Sequence, residues 1–381
     1  MNKNKSNLFI CIFFVVVISA FTLLNLWEFL TGSEPDGRKM GLGELDTVQN
    51  DAVTIWGGIQ KVLGKKQAYG TTGYEDVTLL SNGYATLADP DRSAAAAIEG
   101  IEGASALAGE IGADFIYVAV PSKQYKDDLL PQGTVCYANE KYDTVMDYVK
   151  SAGIDYIDMR EVLLEQAEYK DDNWFGYFYK SDHHWRNKGA FVAYNEICRH
   201  FKLLGYETNE EYLNSDNYSK KTYENVFLGT HARMAGPLYA GLDDYELWLP
   251  KFDTSYDYNA VNMGITRKGN FEEALVYYEN LASYSYDYYA YYAYLKEDYD
   301  FIEIKNELNR DAPKVVIVRD SSAVAVSAFL VNQCSELDMI DLRYLKEGDS
   351  AISYIREKKP DIVIYMFSPG YLGNESAMVL R

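Results

Sequence analysis

Short apolar runs alternate with amphipathic stretches along most of this chain. Asp114–Val120, Ile154–Asp158, Phe301–Ile304, Lys314–Val318, Leu337–Leu342 and Asp361–Phe367 are mostly brief runs rich in Val, Ile, Tyr and Phe. They read as strands, and their near-continuous apolar character fits strands buried on both faces of a parallel sheet. Between them the pattern predicts helices at Ala94–Gly109, Glu140–Ala152, Gly189–Leu204, Ala323–Asn332 and Ala351–Lys358. Strand–helix–strand alternation argues for an α/β domain with a mostly parallel sheet covered on both faces. Residues 205–300 interrupt it. They are rich in Tyr, Asp and Asn and read as an insertion carrying a few strands, such as Glu246–Leu249.

The N-terminus has a different pattern. Leu8–Leu26 is 19 residues without a charge, its polar members being Ser19, Thr22 and Asn25. Such a run is about the minimum for crossing a hydrocarbon core of ~30 Å at ~1.5 Å per residue. Lys3 and Lys5 precede it, and Glu28, Glu34 and Asp36 follow it. The positive-inside bias then puts the N-terminus in the cytoplasm and the rest outside. A cleaved signal peptide is the competing reading, but Ile18-Ser19-Ala20 is a poor small-x-small site and the run exceeds a usual signal core. Either reading exports the domain. The expected organisation is a cytoplasmic N-terminus and transmembrane anchor over 1–30, a Gly- and charge-rich linker or stalk over 31–60, and one domain over 61–381.

Charge narrows the partners. The formal charge of −21 becomes −23 over residues 28–381 once Lys3 and Lys5 are set aside. A surface so acidic argues against nucleic acid, whose phosphates require a basic face. Cys11 lies in the apolar run, and Cys136, Cys198 and Cys334 are scattered and odd in number. They match neither a disulfide framework nor a zinc spacing and read as isolated buried thiols.

Candidate chemistry concentrates at Lys180-Ser181-Asp182-His183-His184-Trp185-Arg186. A carboxylate can orient an imidazole and stabilise its protonated form, and the imidazole can then take a proton from a hydroxyl nucleophile. In an extended segment Asp182 and His184 share a side and His183 faces away. Asn187 is a candidate helix cap, which puts the motif on a strand-to-helix loop, a common address for active sites in open α/β folds. An aromatic and polar loop packed for structure fits the same residues. With four histidines and no His-Glu-x-x-His, no metal site is expected. The nucleophile candidate is Ser321, after the buried-strand pattern Pro313–Val318 and before the apolar run Ala323–Leu330. A serine at such a turn exposes its hydroxyl at the strand's carboxyl end, where helix N-terminal amides can hold an oxyanion. Capping the helix is the plainer role for it.

These residues carry a resemblance. Asp182-His183-His184-Trp185 with Gly189-Ala190 is similar to the signature of the DHHW protein family, related to SGNH-hydrolase-like polysaccharide O-acetyltransferases of the alginate O-acetylation type. Val118–Lys123 with Leu130-Pro131, Phe227–Thr230 with Asp243-Asp244 and Leu249-Pro250, Arg319-Asp320-Ser321 with Phe329-Leu330, and Ile340–Tyr344 resemble further blocks. The resemblance implies an SGNH-like three-layer α/β/α domain and a triad of Ser321, His184 and Asp182, with Trp185 and Arg319 as supporting residues. It implies transfer or removal of O-acetyl groups on an envelope polysaccharide, without a cofactor, with acetyl delivered by a multi-span membrane partner. The chain departs from these relatives at Ser322–Val324 and at Met366–Pro369. That keeps a second reading open, a catalytically reduced domain that binds glycan or serves as a scaffold. The tyrosines crowding 277–294 could stack on sugar rings, but packing accounts for most of them.

Overall fold

The structure, a computed structural model, describes residues 42–68 and 76–381, with Ser19 alone before them. Met1–Asp51 and Ala52–Arg381 form separate units, and the second holds the domain. The apolar run Leu8–Leu26 lies outside the described residues. Among the described residues no helix is long and apolar enough to cross a membrane.

Helix α1 (Leu42–Val62) occupies much of the stretch expected as linker. From Ala52 onward it is part of the domain, with Val53, Gly57 and Gln60 buried. Three short antiparallel strands follow, β1 (Gln67–Ala68), β2 (Val77–Leu79) and β3 (Ala85–Leu87). The main sheet has eight strands. They are β4 (Asp114–Ala119), β5 (Tyr156–Asp158), β8 (Tyr256–Ala260), β9 (Ile265–Gly269), β10 (Phe301–Asn306), β11 (Lys314–Arg319), β12 (Glu336–Ile340) and β13 (Ile362–Phe367). Their order is β5-β4-β13-β11-β12-β10-β8-β9. A separate hairpin pairs β6 (Tyr218–Phe227) with β7 (Asp243–Pro250).

The sheet is mixed where a mostly parallel one was expected. The pairings from β5 to β12 are parallel, and those from β12 through β10 and β8 to β9 are antiparallel. Only residues 307–313 separate β10 from β11. So short a connection reverses the chain, whereas a parallel return needs a crossover of roughly a dozen residues or more. The insertion also feeds β8 and β9 into the sheet, so it extends the core.

Alternation along the parallel strands builds two cores. Ile116, Val118, Ile317, Ile364 and Met366 face one layer, with α4 (Met159–Gln166), α5 (Asn187–Leu203) and α7 (Ala323–Leu330). Tyr117, Ala119, Val316, Val318 and Tyr365 face the other, with α2 (Ala95–Ile111), α3 (Ala138–Ala152) and α8 (Ala351–Lys358). This is the expected three-layer α/β/α arrangement. Cys136, Cys198 and Cys334 are free and buried within it. The carboxyl ends of β4, β11 and β13 converge where β13 lies between β4 and β11, whose following strands β5 and β12 lie on opposite sides. Such a switch point opens a crevice beyond the strand ends.

Candidate active site

The segment carrying Asp182 and His184 is a tight bend between two fixed ends. Phe178 and Trp185 form an antiparallel bridge, Arg186 N donates to Tyr177 O at 2.7 Å, and α5 starts directly after. Within the bend, Asp182 Oδ1 accepts from His184 N at 2.8 Å and lies 2.7 Å from His184 Nδ1. The two side chains therefore meet through a turn closed by the carboxylate, not through strand alternation. His183 is correspondingly not turned away. Its ring lies 3.8 Å from that of His184, centroid to centroid, and its side chain is 38% exposed. Asn187 is the first helical residue and not the cap. Its side chain donates to Glu246 O at 2.7 Å, while Arg186 holds the cap position.

Two buried charges clamp the bend from outside the motif. Asp243 accepts from Lys180 N at 2.9 Å, from Ser181 N and Oγ at 2.7 Å each, and from Arg186 Nη2 at 3.0 Å. Lys123 Nζ donates to the carbonyls of Tyr179, Lys180 and Asp182 at 3.0, 3.2 and 2.5 Å. The far oxygen of Asp182 accepts from Thr230 N at 2.7 Å and from the Tyr289 hydroxyl. Burial alone would raise the Asp182 carboxyl, but the neighbouring His184 and His183 and the His184 hydrogen bond hold it well below the usual carboxylate range. Burial and the Asp182 charge hold the Tyr289 phenol well above its ordinary value, so it remains a donor.

Ser321 reaches this pair from β11. Its Oγ is 2.8 Å from His184 Nε2, and the residue is 4% exposed. Asp320 shapes the turn, taking Ser322 N on one oxygen and Ser368 N and Oγ on the other, each at 2.7 Å. Trp185 Nε1 donates to Ser322 O at 2.9 Å, tying the two loops together. The Tyr291 ring stacks on His184 at 3.7 Å and 11°, and its hydroxyl is 2.9 Å from Ser321 O. The expectation that the amides of α7 face an oxyanion needs correction. Those of Ser322, Ala323 and Val324 already donate to Asp320 Oδ1, Asp320 O and Ser321 O.

Asp182, His184 and Ser321 are thus joined in one line, with Trp185 bracing it. Arg319 is elsewhere. It is fully buried and pairs with Asp298 and Asp341, beside Arg343, so it fixes the ends of β11 and β12 and touches no member of the line. Sequence reasoning assigned no role to Lys123, Thr230, Asp243, Tyr289 or Tyr291. The first three stand inside blocks that carry the resemblance, and their polar side chains were the available signal. The two tyrosines were hidden by the number around them.

A cavity of about 300 Å³ adjoins the line, with His183, Thr230, His231 and Ser322 in its wall. Burial, and after it the charge of Lys123, holds the His231 imidazole well below its ordinary range. Among the described residues, Asp182, His183 and His184 offer metal-ligating atoms within 4.8 Å of one another. The ligand atoms of Asp182 and His184 are the ones already bonded to each other. Chemically, a buried carboxylate–imidazole–hydroxyl line can deprotonate the hydroxyl and return the proton to a leaving group.

Comparison with known proteins follows the same path. Residues 80–258 match the family model described as SGNH hydrolase-like domain, acetyltransferase AlgX; Asp182 and His184 fall inside that span and Ser321 outside it. No curated protein matches the chain. The fold is similar to that of Bacillus cereus PatB1, at 20% identity and a TM-score of 0.63 over 80% of this chain and 100% of that one. The same protein solved with a sulfonyl adduct gives 19% and 0.61 over 80% and 99%. A DHHW family protein from Eubacterium siraeum gives 16% and 0.58 over 81% and 96%. The resemblance to the DHHW family and to SGNH-hydrolase-like acetyltransferases, carried in the sequence by Asp182–Trp185, is thus met by a family model and by a shared fold.

Proposed function

We propose that this protein transfers or removes O-acetyl groups on a cell-envelope polysaccharide, outside the membrane, with Ser321 as nucleophile, His184 as general base and Asp182 as its orienting carboxylate. One observation carries the reading: His184 lies 2.7 Å from Asp182 Oδ1 and 2.8 Å from Ser321 Oγ. The acetyltransferase description of the matching family supports the acyl chemistry. Ser321 Oγ attacks the acetyl carbonyl while its proton passes to His184 Nε2. The proton then goes to the departing alkoxide, leaving acetyl on Ser321. A sugar hydroxyl, or water, next gives its proton to His184 and attacks the acyl-enzyme; the bond from Ser321 Oγ to the acyl carbon breaks, His184 returns the proton to Ser321 Oγ, and an acetylated sugar or acetate is released. Asp182 stabilises the imidazolium in both halves. None of these steps requires a cofactor. With the domain outside, acetyl for transfer comes from a multi-span membrane partner. The excess of acidic residues favours a neutral or amino-sugar glycan over a strongly anionic one.

The test is hydrolysis of an activated acetyl ester by the full chain. Wild type is expected to turn over, and Ser321→Ala to lose roughly a thousandfold or more of that rate. Equal rates in the two proteins would instead favour a domain that binds glycan without turnover.

A further inference from the structure

Helix α1 presents two opposite faces, and the outer one has the wrong polarity for water. Val53, Gly57 and Gln60 are buried, and a Cβ on Gly57 would sit 1.8 Å from Ala235 O, so the inner face is in close contact with the domain. On the outer side Ile55 is 44% exposed, Trp56 42%, Val62 88% and Leu63 56%. Ile59 lies among them, half-buried. At about 100° per residue these five fall within roughly 120° of arc, opposite the buried three. Leu238, also exposed, extends the stripe, since it packs beside Gly58. Contiguous exposed apolar surface of this kind marks an interaction site.

We propose that this stripe rests on the lipid bilayer surface and sets the domain's orientation there. Three observations select lipid as the occupant. Trp56 combines an apolar body with a polar N–H, the side chain favoured at headgroup level. Lys65 and Lys66 close the same segment on a chain of formal charge −21, and both are exposed, whereas Lys61 Nζ is turned to the domain and donates to Tyr239 O at 2.9 Å. Lysines flanking an apolar helical face place their ammonium groups among lipid phosphates while their stems lie on the apolar surface. Residues 1–41 precede the helix and contain the uncharged run Leu8–Leu26, which ends fewer than thirty residues before Ile55. The inference rests on the reading that this run is inserted in the membrane.

Site-directed spin labelling separates the two. The full chain with Cys11→Ser is reconstituted into phosphatidylcholine–phosphatidylglycerol vesicles and labelled at Val62→Cys or, as a water-facing control, at the exposed Asp311→Cys. The remaining cysteines are buried and resist labelling. An unchanged cooperative thermal unfolding transition in each labelled protein verifies that it is folded. The label at 62 is expected to collide several-fold more often with oxygen, and several-fold less often with a water-soluble nickel chelate, than the label at 311. Equal accessibility at both positions, in protein that stays with the vesicles, would overturn the docking proposal and leave the anchor intact. Protection at 62 from both reagents would overturn it too, by assigning the stripe to protein, such as a second copy. Failure of the chain to associate with vesicles at all would sink both readings.

Discussion

Lys123 Nζ donates to three backbone carbonyls. A neutral amine has only two N–H groups, so the bend bearing Asp182 is built around the ammonium. Burial drives Lys123 down to about 7, against the upward pull of Asp182 and Asp243. Raising the pH through that value removes one hydrogen bond from the bend, so acyl transfer is expected to decline above about pH 7. Lys123→Met should lower kcat/KM by about tenfold or more, the scale of one buried charged hydrogen bond, and should abolish that descending limb. A pH–rate profile of both proteins checks this. For stability the sign is reversed. The folded value lies below the ~10.4 of an unfolded lysine, so the cost of burying this charge is full below the folded value and is relieved progressively as pH rises from there toward the unfolded one. Asp182, His184 and Ser321 were legible because the first two are two residues apart in sequence and the third follows a recognisable strand. Lys123, Thr230, Asp243, Tyr289 and Tyr291 act from distant segments, and no local pattern reports a long-range hydrogen bond. Arg319 shows the converse. A charge beside a nucleophile suggests chemistry, yet its partners Asp298 and Asp341 make it part of the scaffold.

At the level of elements, strands in the parallel block follow the sequence pattern closely, because a strand buried on both faces is a distinctive apolar run. The antiparallel half was less legible, since β8 alternates Tyr with polar residues, β9 is mostly polar, and both resemble irregular chain. The bend at 180–184 also escaped a strand-based expectation, because a carboxylate-closed turn has no hydrophobic period. Its tight fit yields a sharp test. Gly229 precedes the short helix α6 (Thr230–Ala235), and a Cβ there would lie 2.4 Å from Ser181 O and 2.6 Å from Asp182 Cβ. Its φ of −68° suits any residue, so the effect of Gly229→Ala is steric alone. Overpacking of this kind costs about 1–3 kcal/mol, and its direct target is the backbone holding Asp182. Acetyl-ester hydrolysis is expected to fall by at least about tenfold, with kcat affected more than KM. Thermal unfolding should still be cooperative. Full activity in this variant would mean that the bend tolerates displacement.

For the whole molecule, the fold places the line of Asp182, His184 and Ser321 beside the carboxyl ends of parallel strands, and the sequence charge and N-terminal run set its proposed surroundings. Deleting the gene and measuring alkali-labile acetate on each envelope glycan tests that setting. A loss on one neutral or amino-sugar fraction is expected of a transferase, and a rise on one fraction of an esterase. No change in any fraction would exclude the transferase role under those conditions. The most direct measurement concerns Ser321 itself. The full chain is treated with a sulfonyl fluoride, which forms a covalent adduct on an activated serine, and its intact mass and peptide map are recorded. One adduct per chain on Ser321 is expected, absent in Ser321→Ala and much slower in His184→Ala. No adduct, or an adduct that persists unchanged in Ser321→Ala, would contradict a nucleophilic Ser321 activated by His184.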